Sequence, residues 1–336
     1  MVKAPRDFAI SMDTRTVSVV ALCLFIVSPV IALLAISTGD SHGIWLHLIH
    51  SVLGKYLINT ATLMVGVAVV SLVFGISTAW IISSYRFRFS RWFDVVMLLP
   101  MACPAYLVAY AYTDFFEYAG PAQGALRELM GWRSANDYYF PEIRSMSGAI
   151  FVLSSVLYPY VYLLTRTAFQ NISSSFYEVA ALSNRNVFWN VSLPLARPAI
   201  VAGLALVLME VISDFGTVEF FAIETLTLGI FNVWIGMNSI TGAAQIASIT
   251  FAFVILLIVL EFYARGERRF SNIGGRQANT ALVDVHGMQA FIFGLICLVP
   301  VGFGFLVPVS ILATNVLTSA DLVAFLDVWR VFSNSV

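Results

Sequence analysis

Phe176-Tyr-Glu-Val-Ala-Ala-Leu-Ser-Asn-Arg-Asn-Val-Phe-Trp-Asn-Val-Ser-Leu-Pro-Leu-Ala-Arg-Pro198 is a polar interruption between two long apolar runs. Glu178-Val-Ala180 opens a short helical run, with Ser173, Ser174 and Ser175 just upstream as capping candidates. The stretch closes on Leu193-Pro194, and Pro198 follows. Proline lacks the N–H that a helix needs, so Pro194 and Pro198 are expected to stop regular helix and turn the chain back toward the membrane. A helix fixed at both ends can carry force from a partner. Phe176, Val179, Leu182, Val187 and Phe188 offer it a docking face. The alternative reading is an ordinary helix lying at the membrane interface.

The rest of the chain places this stretch in a membrane protein. It is 336 residues long, 60% hydrophobic and 11% charged, against about 25% charged in a soluble domain. That much apolar surface cannot be kept out of water in a soluble fold of this size. The net charge of −1 distinguishes no class of partner, and nothing in the pattern points to nucleic acid. Cys23, Cys103 and Cys297 all lie in apolar runs and read as small packing residues, with no disulfide or metal spacing.

A membrane-spanning helix takes roughly 20 apolar residues. Candidates lie at 17–37, 58–83, 93–113, 146–166, 198–216, 243–263 and 288–313, giving an all-α polytopic protein of about seven spans. The first is too long for a secretory signal and reads as an uncleaved helix. With the N-terminus inside, the cytoplasmic segments hold 13 of the 18 basic residues: Lys3, Arg6, Arg15, Arg86, Arg88, Arg91, Arg166, Arg185, Arg197, Arg265, Arg268, Arg269 and Arg276. Only Lys55, Arg127, Arg133, Arg144 and Arg330 fall outside. This bias sets the expected orientation, with a cytoplasmic N-terminus.

Residues 1–54 make a first helix and outer loop, 55–265 a core unit carrying the loop 167–197, and 266–287 a Gly-rich cytoplasmic linker. Residues 288–336 read as the start of a second copy. The ending Trp329-Arg-Val-Phe-Ser-Asn-Ser-Val336 resembles Lys55-Tyr-Leu-Ile-Asn-Thr-Ala61, and both follow an apolar helix and an outer loop. The chain is therefore expected to be a fragment of a double-length protein. Its last apolar helix would then have nothing to pack against in its own repeat. A complete seven-helix protein is the alternative.

Ionisable groups inside apolar segments are the candidates for a pathway. Glu210 falls about 12 residues into the segment 198–216, near the expected bilayer centre. Asp214 lies a turn further on nearly the same face, and Glu219 follows Gly216, where the helix is expected to break. One reading is cation passage; the other is that these acids cap broken helices or bind neighbouring ones. Tyr106 and Tyr110 share a face at i and i+4 and could line such a path, whereas the tyrosines at 112, 158, 160 and 162 read with them as interface and packing aromatics. His42, His47 and His50 read as a solvated outer loop, and no metal site or cofactor is expected.

Most of residues 55–265 looks like the first half of bacterial ferric-iron ABC importer permeases. The resemblance is carried by Leu98-Leu-Pro-Met-Ala-Cys-Pro-Ala-Tyr-Leu-Val-Ala-Tyr-Ala-Tyr-Thr-Asp114, Phe140-Pro-Glu-Ile-Arg144, Leu157-Tyr-Pro-Tyr-Val-Tyr162 and Met209-Glu-Val-Ile-Ser-Asp-Phe-Gly-Thr-Val-Glu219. Thr227-Leu-Gly-Ile-Phe-Asn-Val-Trp234 and Ala243-Ala-Gln-Ile-Ala247 continue it. The opening stretch resembles the segment by which such permeases grip their ATPase. The resemblance implies a type I importer fold in the bacterial inner membrane, a periplasmic binding protein that delivers substrate, and a separate ABC ATPase dimer. It also implies coupling through Glu178, Ala180, Asn184, Leu193 and Pro194. The stretch departs from the family pattern in three places. Val179 stands where the family has Ala, and Asn184 where it has Gly. The run from Glu178 to Leu193-Pro194 is about three residues short, nearly a helical turn.

ATP hydrolysis is expected on a partner, since neither Lys3 nor Lys55 stands in a phosphate-binding G-x-x-x-x-G-K-[ST] loop. Iron is the expected cargo, with thiamine, polyamine or phosphonate as alternatives. A secondary transporter is the alternative of another class and would need paired broken helices with coupling-ion ligands. An intramembrane enzyme would need a base within the helices, and no histidine lies there.

Overall fold

Without water at hand, a backbone N–H or C=O must find its partner inside its own segment, and long apolar runs therefore become helices. The computed structural model describes residues 14–183, 185–265, 282–319 and 329–334. In chain order the structure runs α1 (Thr14–Ser37), α2 (Ile44–Ser51), α3 (Leu53–Ser84), a two-residue strand β1 (Tyr85–Arg86) and α4 (Ser90–Val96). It continues through α5 (Ala105–Phe116), α6 (Pro121–Met130), α7 (Met146–Gln170), α8 (Ser174–Leu182), α9 (Leu193–Ser213), α10 (Gly216–Phe220), α11 (Leu226–Phe231) and α12 (Ile240–Arg265). Strand β2 (Val283–Asp284), α13 (Met288–Val301) and α14 (Val307–Ser319) follow. The expected linker lies outside the described residues over 266–281.

The core forms where α3, α7 and α9 meet. Gly75 of α3 and Gly203 of α9 both face Val161 of α7, where a Cβ would come within 2.6 Å and 2.8 Å of Val161 atoms. Small residues let membrane helices approach closely enough for van der Waals attraction to hold them. α12 lies over α9, and α1 packs on α12 with none of its described residues buried.

Six helical stretches are long and apolar enough to cross a membrane: 15–37, 53–84, 146–170, 188–213, 240–263 and 288–318. They match six of the seven expected spans. The seventh differs. The run 93–113 is a bent pair, Ser90–Ala102 and Ala105–Met130, with an angle of 84° between its arms. Pro100 and Pro104 explain the bend: the first sits in a 3-10 turn, Leu99–Ala102, and the second precedes α5 in extended backbone.

Two expectations about the quoted stretch also need correction. Pro194 and Pro198 do not stop the helix, which runs without a break from Phe188 to Ser213. A π-helical turn over Phe188–Ser192 leads into α9, Pro194 sits in the first turn of α9, and Pro198 is carried inside it. Proline is tolerated in a first turn, where its missing donor is not used.

The last apolar helix has partners. α13 and α14 are joined through a π-helical turn, Gly302–Leu306, and pack against α3, α5 and α7. The Tyr112 hydroxyl donates to the Phe303 carbonyl at 2.7 Å. A Cβ on Gly304 would lie 2.1 Å from the Ser155 carbonyl oxygen, so the two backbones touch there. Asn315 Nδ2 donates to Asp114 at 2.7 Å. Parallel β1 and β2, with Tyr85 beside Val283 and Arg86 beside Asp284, fasten the start of α13 to the end of α3.

Candidate transport pathway and coupling segment

The bundle has two chemically distinct ends. One carries the turn between α3 and α4, the end of α7, α8 and the start of α9. Arg166 of α7 pairs there with Asp94 of α4 at 2.8 Å. The other end carries the mouth of α3 and the broken helices after α9. Lys55 pairs with Glu224 at 2.9 Å, and Arg144 pairs with Glu117 at 2.8 Å while lying over the Phe220 ring.

Between α5, α7 and the last turn of α9 lies a cavity of about 240 Å³. Glu210, Ser213 and Asp214 line one wall, Tyr160 and Leu157 another, and Cys103, Pro104 and Ala105 the floor at the head of α5. No lysine or arginine is among its lining residues. Asp214 leaves the helix in extended backbone and caps α10. It accepts from Thr217 N at 3.1 Å, Val218 N at 3.1 Å and Thr217 Oγ1 at 3.0 Å. The break therefore falls at Asp214–Phe215, two residues before the expected Gly216. Glu210 is exposed beside Tyr160.

Glu210 does not lie midway along its helix. The helix begins at Phe188, so Glu210 is in the last turn before Ser213. Its expected depth came from taking Pro198 as the helix start. Glu219 is exposed on α10, outside the cavity. Tyr106 and Tyr110 are also outside it and pack against the broken segment instead. A Cβ on Gly216 would lie 3.0 Å from Tyr106, and the Tyr110 ring stands edge-on to Phe220 at 6.1 Å. Tyr112, Tyr158 and Tyr162 are buried: Tyr158 donates to the Met97 carbonyl at 3.0 Å, and Tyr162 lies in the same cluster. Tyr160 and Cys103 are cavity residues that the sequence reading assigned to packing. Facing a cavity leaves no periodic trace when the neighbouring positions are equally apolar. Among the described residues, no group of three or more His, Cys, Asp or Glu side chains could hold a metal ion.

In the coupling segment, Glu178 is exposed with no partner among the described residues, and Phe176, Val179 and Leu182 are exposed at three-residue steps on one face of α8. Ala180 is buried beneath them. Burial pushes the Tyr177 hydroxyl above its ordinary pKa. The Arg185 N–H closes onto the Ala180 carbonyl at 3.1 Å, the six-to-one bond with which helices end. Asn184 lies outside the described residues. Leu193 and Pro194 are half-buried at the head of α9. Val187 and Phe188 are only half-exposed, and Phe188 turns inward onto Trp80 at 5.1 Å, so it is not part of the exposed face.

Residues 71–271, more than half of the chain, match the family described as the binding-protein-dependent transport system inner membrane component. The chain belongs to that family. It is a multi-pass ABC transporter permease. It is 25% identical over 268 residues to the Fe(3+)-transport system permease protein FbpB 2 of Haemophilus influenzae, covering 79% of this chain and 46% of that protein. This permease thus spans about half the length of that relative. It is also 26% identical over 210 residues to the molybdate/tungstate transport system permease protein WtpB of Methanocaldococcus jannaschii, covering 60% and 76%. To the sulfate transport system permease protein CysT of Escherichia coli it is 25% identical over 262 residues, covering 75% and 90%. In fold it resembles a chain from the crystal structure of a bacterial alginate ABC transporter in complex with a periplasmic protein bound to alginate pentasaccharide. The TM-score is 0.53 at 14% identity, over 75% of this permease and 91% of that chain.

Proposed function

We propose that this chain is the permease subunit of an ATP-driven importer of ferric iron. A periplasmic binding protein delivers the cargo, and a separate ABC ATPase dimer docks on α8. Residues 55–265 act as one permease unit, and the helix from 288 opens a second. The arginine-rich end that carries α8 faces the cytoplasm, as the positive-inside rule requires. Glu178, Ala180, Asn184, Leu193 and Pro194 belong to the coupling element.

The observation that carries the cargo assignment is the charge of the cavity. Glu210 and Asp214 face it and no basic side chain does. A wall of carboxylates repels molybdate, sulfate and phosphonate and attracts a metal cation. The iron permease among the relatives points the same way. Glu219, Tyr106 and Tyr110 flank the path without lining the cavity.

One observation favours a second reading, an oxyanion importer. Pro104 and Ala105 bring the uncapped start of α5 to the same cavity, and helix starts attract anions. Uptake by cells carrying the intact transport system separates the two. Glu210→Gln should lower ferric-iron uptake about tenfold, a loss of 1.4 kcal/mol. One carboxylate close to a cation supplies that much even at an effective dielectric of about 20. Unchanged iron uptake in Glu210→Gln, or molybdate or sulfate uptake that rises in it, would reject the cation reading.

A further inference from the structure

The turn between α3 and α4 concentrates positive charge without neutralising it. Arg86, Arg88 and Arg91 are all exposed, and among the described residues none belongs to a salt bridge. Asp94 is taken by Arg166 at 2.8 Å. Asp284, in register with Arg86 across the strand pair, is exposed and forms no salt bridge among the described residues.

The same turn borders an open surface depression of about 290 Å³ lined by Arg86, Phe87, Phe89, Ser90, Arg91 and Trp92. Phe89 holds a left-handed backbone at φ 72°, a conformation that costs energy for a bulky residue. That bend presents the Phe89 ring outward, with the Arg88 guanidinium 5.2 Å from its centroid. Phe89, Trp92 and Val95 are 61%, 72% and 67% exposed at three-residue steps. The site therefore combines cations around a depression with a row of apolar side chains beside it, at the level where a membrane-spanning helix ends. Tryptophan and arginine side chains both favour that level.

We propose that this turn binds an anionic phospholipid. Arg86 and Arg91 hold the phosphodiester in the depression, the Ser90 hydroxyl donates to it, and the acyl chains lie along Phe89, Trp92 and Val95. Charge complementarity selects the headgroup, since the guanidiniums of Arg86 and Arg91 face a space that no carboxylate among the described residues lines. The apolar row favours a lipid over a soluble phosphate, which has nothing to place there. It also favours a lipid over the ATPase, for which α8 offers a separate exposed face. The site is independent of the cargo, and the choice of lipid over ATPase rests on the proposed reading of α8.

The test reconstitutes the full chain in phosphatidylcholine vesicles containing equal fractions of either brominated phosphatidylglycerol or brominated phosphatidylcholine. Trp92 fluorescence is taken as the difference between the wild-type protein and Trp92→Phe. Quenching by phosphatidylglycerol should reach its midpoint at about thirtyfold lower lipid fraction, the effect expected of two basic residues at an anionic surface, and about fivefold lower when one of them is removed. Arg86→Gln/Arg91→Gln should abolish that preference. Arg88→Gln, which does not line the depression, should retain it, and Arg91→Gln alone gives the intermediate result if the double variant fails to fold. Equal quenching by the two lipids would overturn the proposal, as would a preference that survives the double substitution. Loss of the preference in excess inorganic phosphate would make this a soluble-anion site and overturn it too. So would loss of ATPase co-purification in the double variant with its lipid preference intact.

Discussion

Asp214 caps α10 and lines the cavity, and the two can be separated. Its carboxylate takes two backbone N–H groups and one hydroxyl, while it faces the same space as Glu210. Asparagine can cap as well as aspartate, whereas alanine cannot. Asp214→Asn should therefore keep the thermal unfolding midpoint of the detergent-solubilised protein and lose iron uptake. Asp214→Ala should lose both, with a stability loss of about 1 kcal/mol. Equal midpoints for the two variants would show that the cap contributes nothing. The chemistry of this residue was legible in the sequence, because an acid next to Phe215-Gly216 at the end of an apolar run is either a cap or a pathway group. Here it caps α10 from a position that lines the cavity. The depth of Glu210 was not legible. It depends on where the helix starts, and that start is hidden in the polar run Asn190-Val-Ser192, which forms a π-turn rather than a loop.

At the scale of elements, α8 joins a buried side to an exposed one. Ala180 is sealed against the bundle, while Leu182 is 88% exposed. A residue this exposed can be replaced at little cost to the fold. Leu182→Cys, placed in a chain whose Cys23, Cys103 and Cys297 are changed to serine, should react with an impermeant maleimide in inverted vesicles and not in intact cells. Bound ATPase should shield it, and Glu178→Arg should remove the shielding. Labelling in intact cells would reverse the orientation, and labelling unaffected by the ATPase would remove α8 from the coupling role. Six spans could be read from the sequence because apolar length alone decides whether a helix can cross a bilayer. The seventh could not be read that way. Pro100 and Pro104 sit within a run as apolar as the others, and composition does not register a missing N–H. The prolines of α9 misled in the other direction, since Pro194 falls in a first turn where the missing donor costs nothing.

Over the whole molecule, the helix formed by α13 and α14 is part of the bundle, fixed by Tyr112, Gly304 and the strand pair. Tyr112→Phe removes one hydrogen bond, worth about 1 kcal/mol. Gly304→Val places atoms where the Ser155 carbonyl already lies and should lower the unfolding midpoint far more. Similar midpoints for the two variants would mean that the helix is held elsewhere. Sequence periodicity could not reveal this docking, because a glycine that admits a neighbouring backbone looks the same as one that only loosens a helix. The turn at Gly302–Leu306 also bears on how such a chain tolerates change in length. A bond from residue i to i−5 encloses one residue more than the α-helical bond, so each π-turn is equivalent to a single inserted residue. Deleting one residue there would restore regular pitch and leave the faces beyond it in place, because the turn already absorbs the surplus residue. A deletion in α14 between Val307 and Asn315 has no surplus to draw on. It would turn Asn315 by about 100°, away from Asp114, which it now reaches at 2.7 Å. The five positions Gly302–Leu306 are thus the place where this helix can lose a codon and keep its outer half in register.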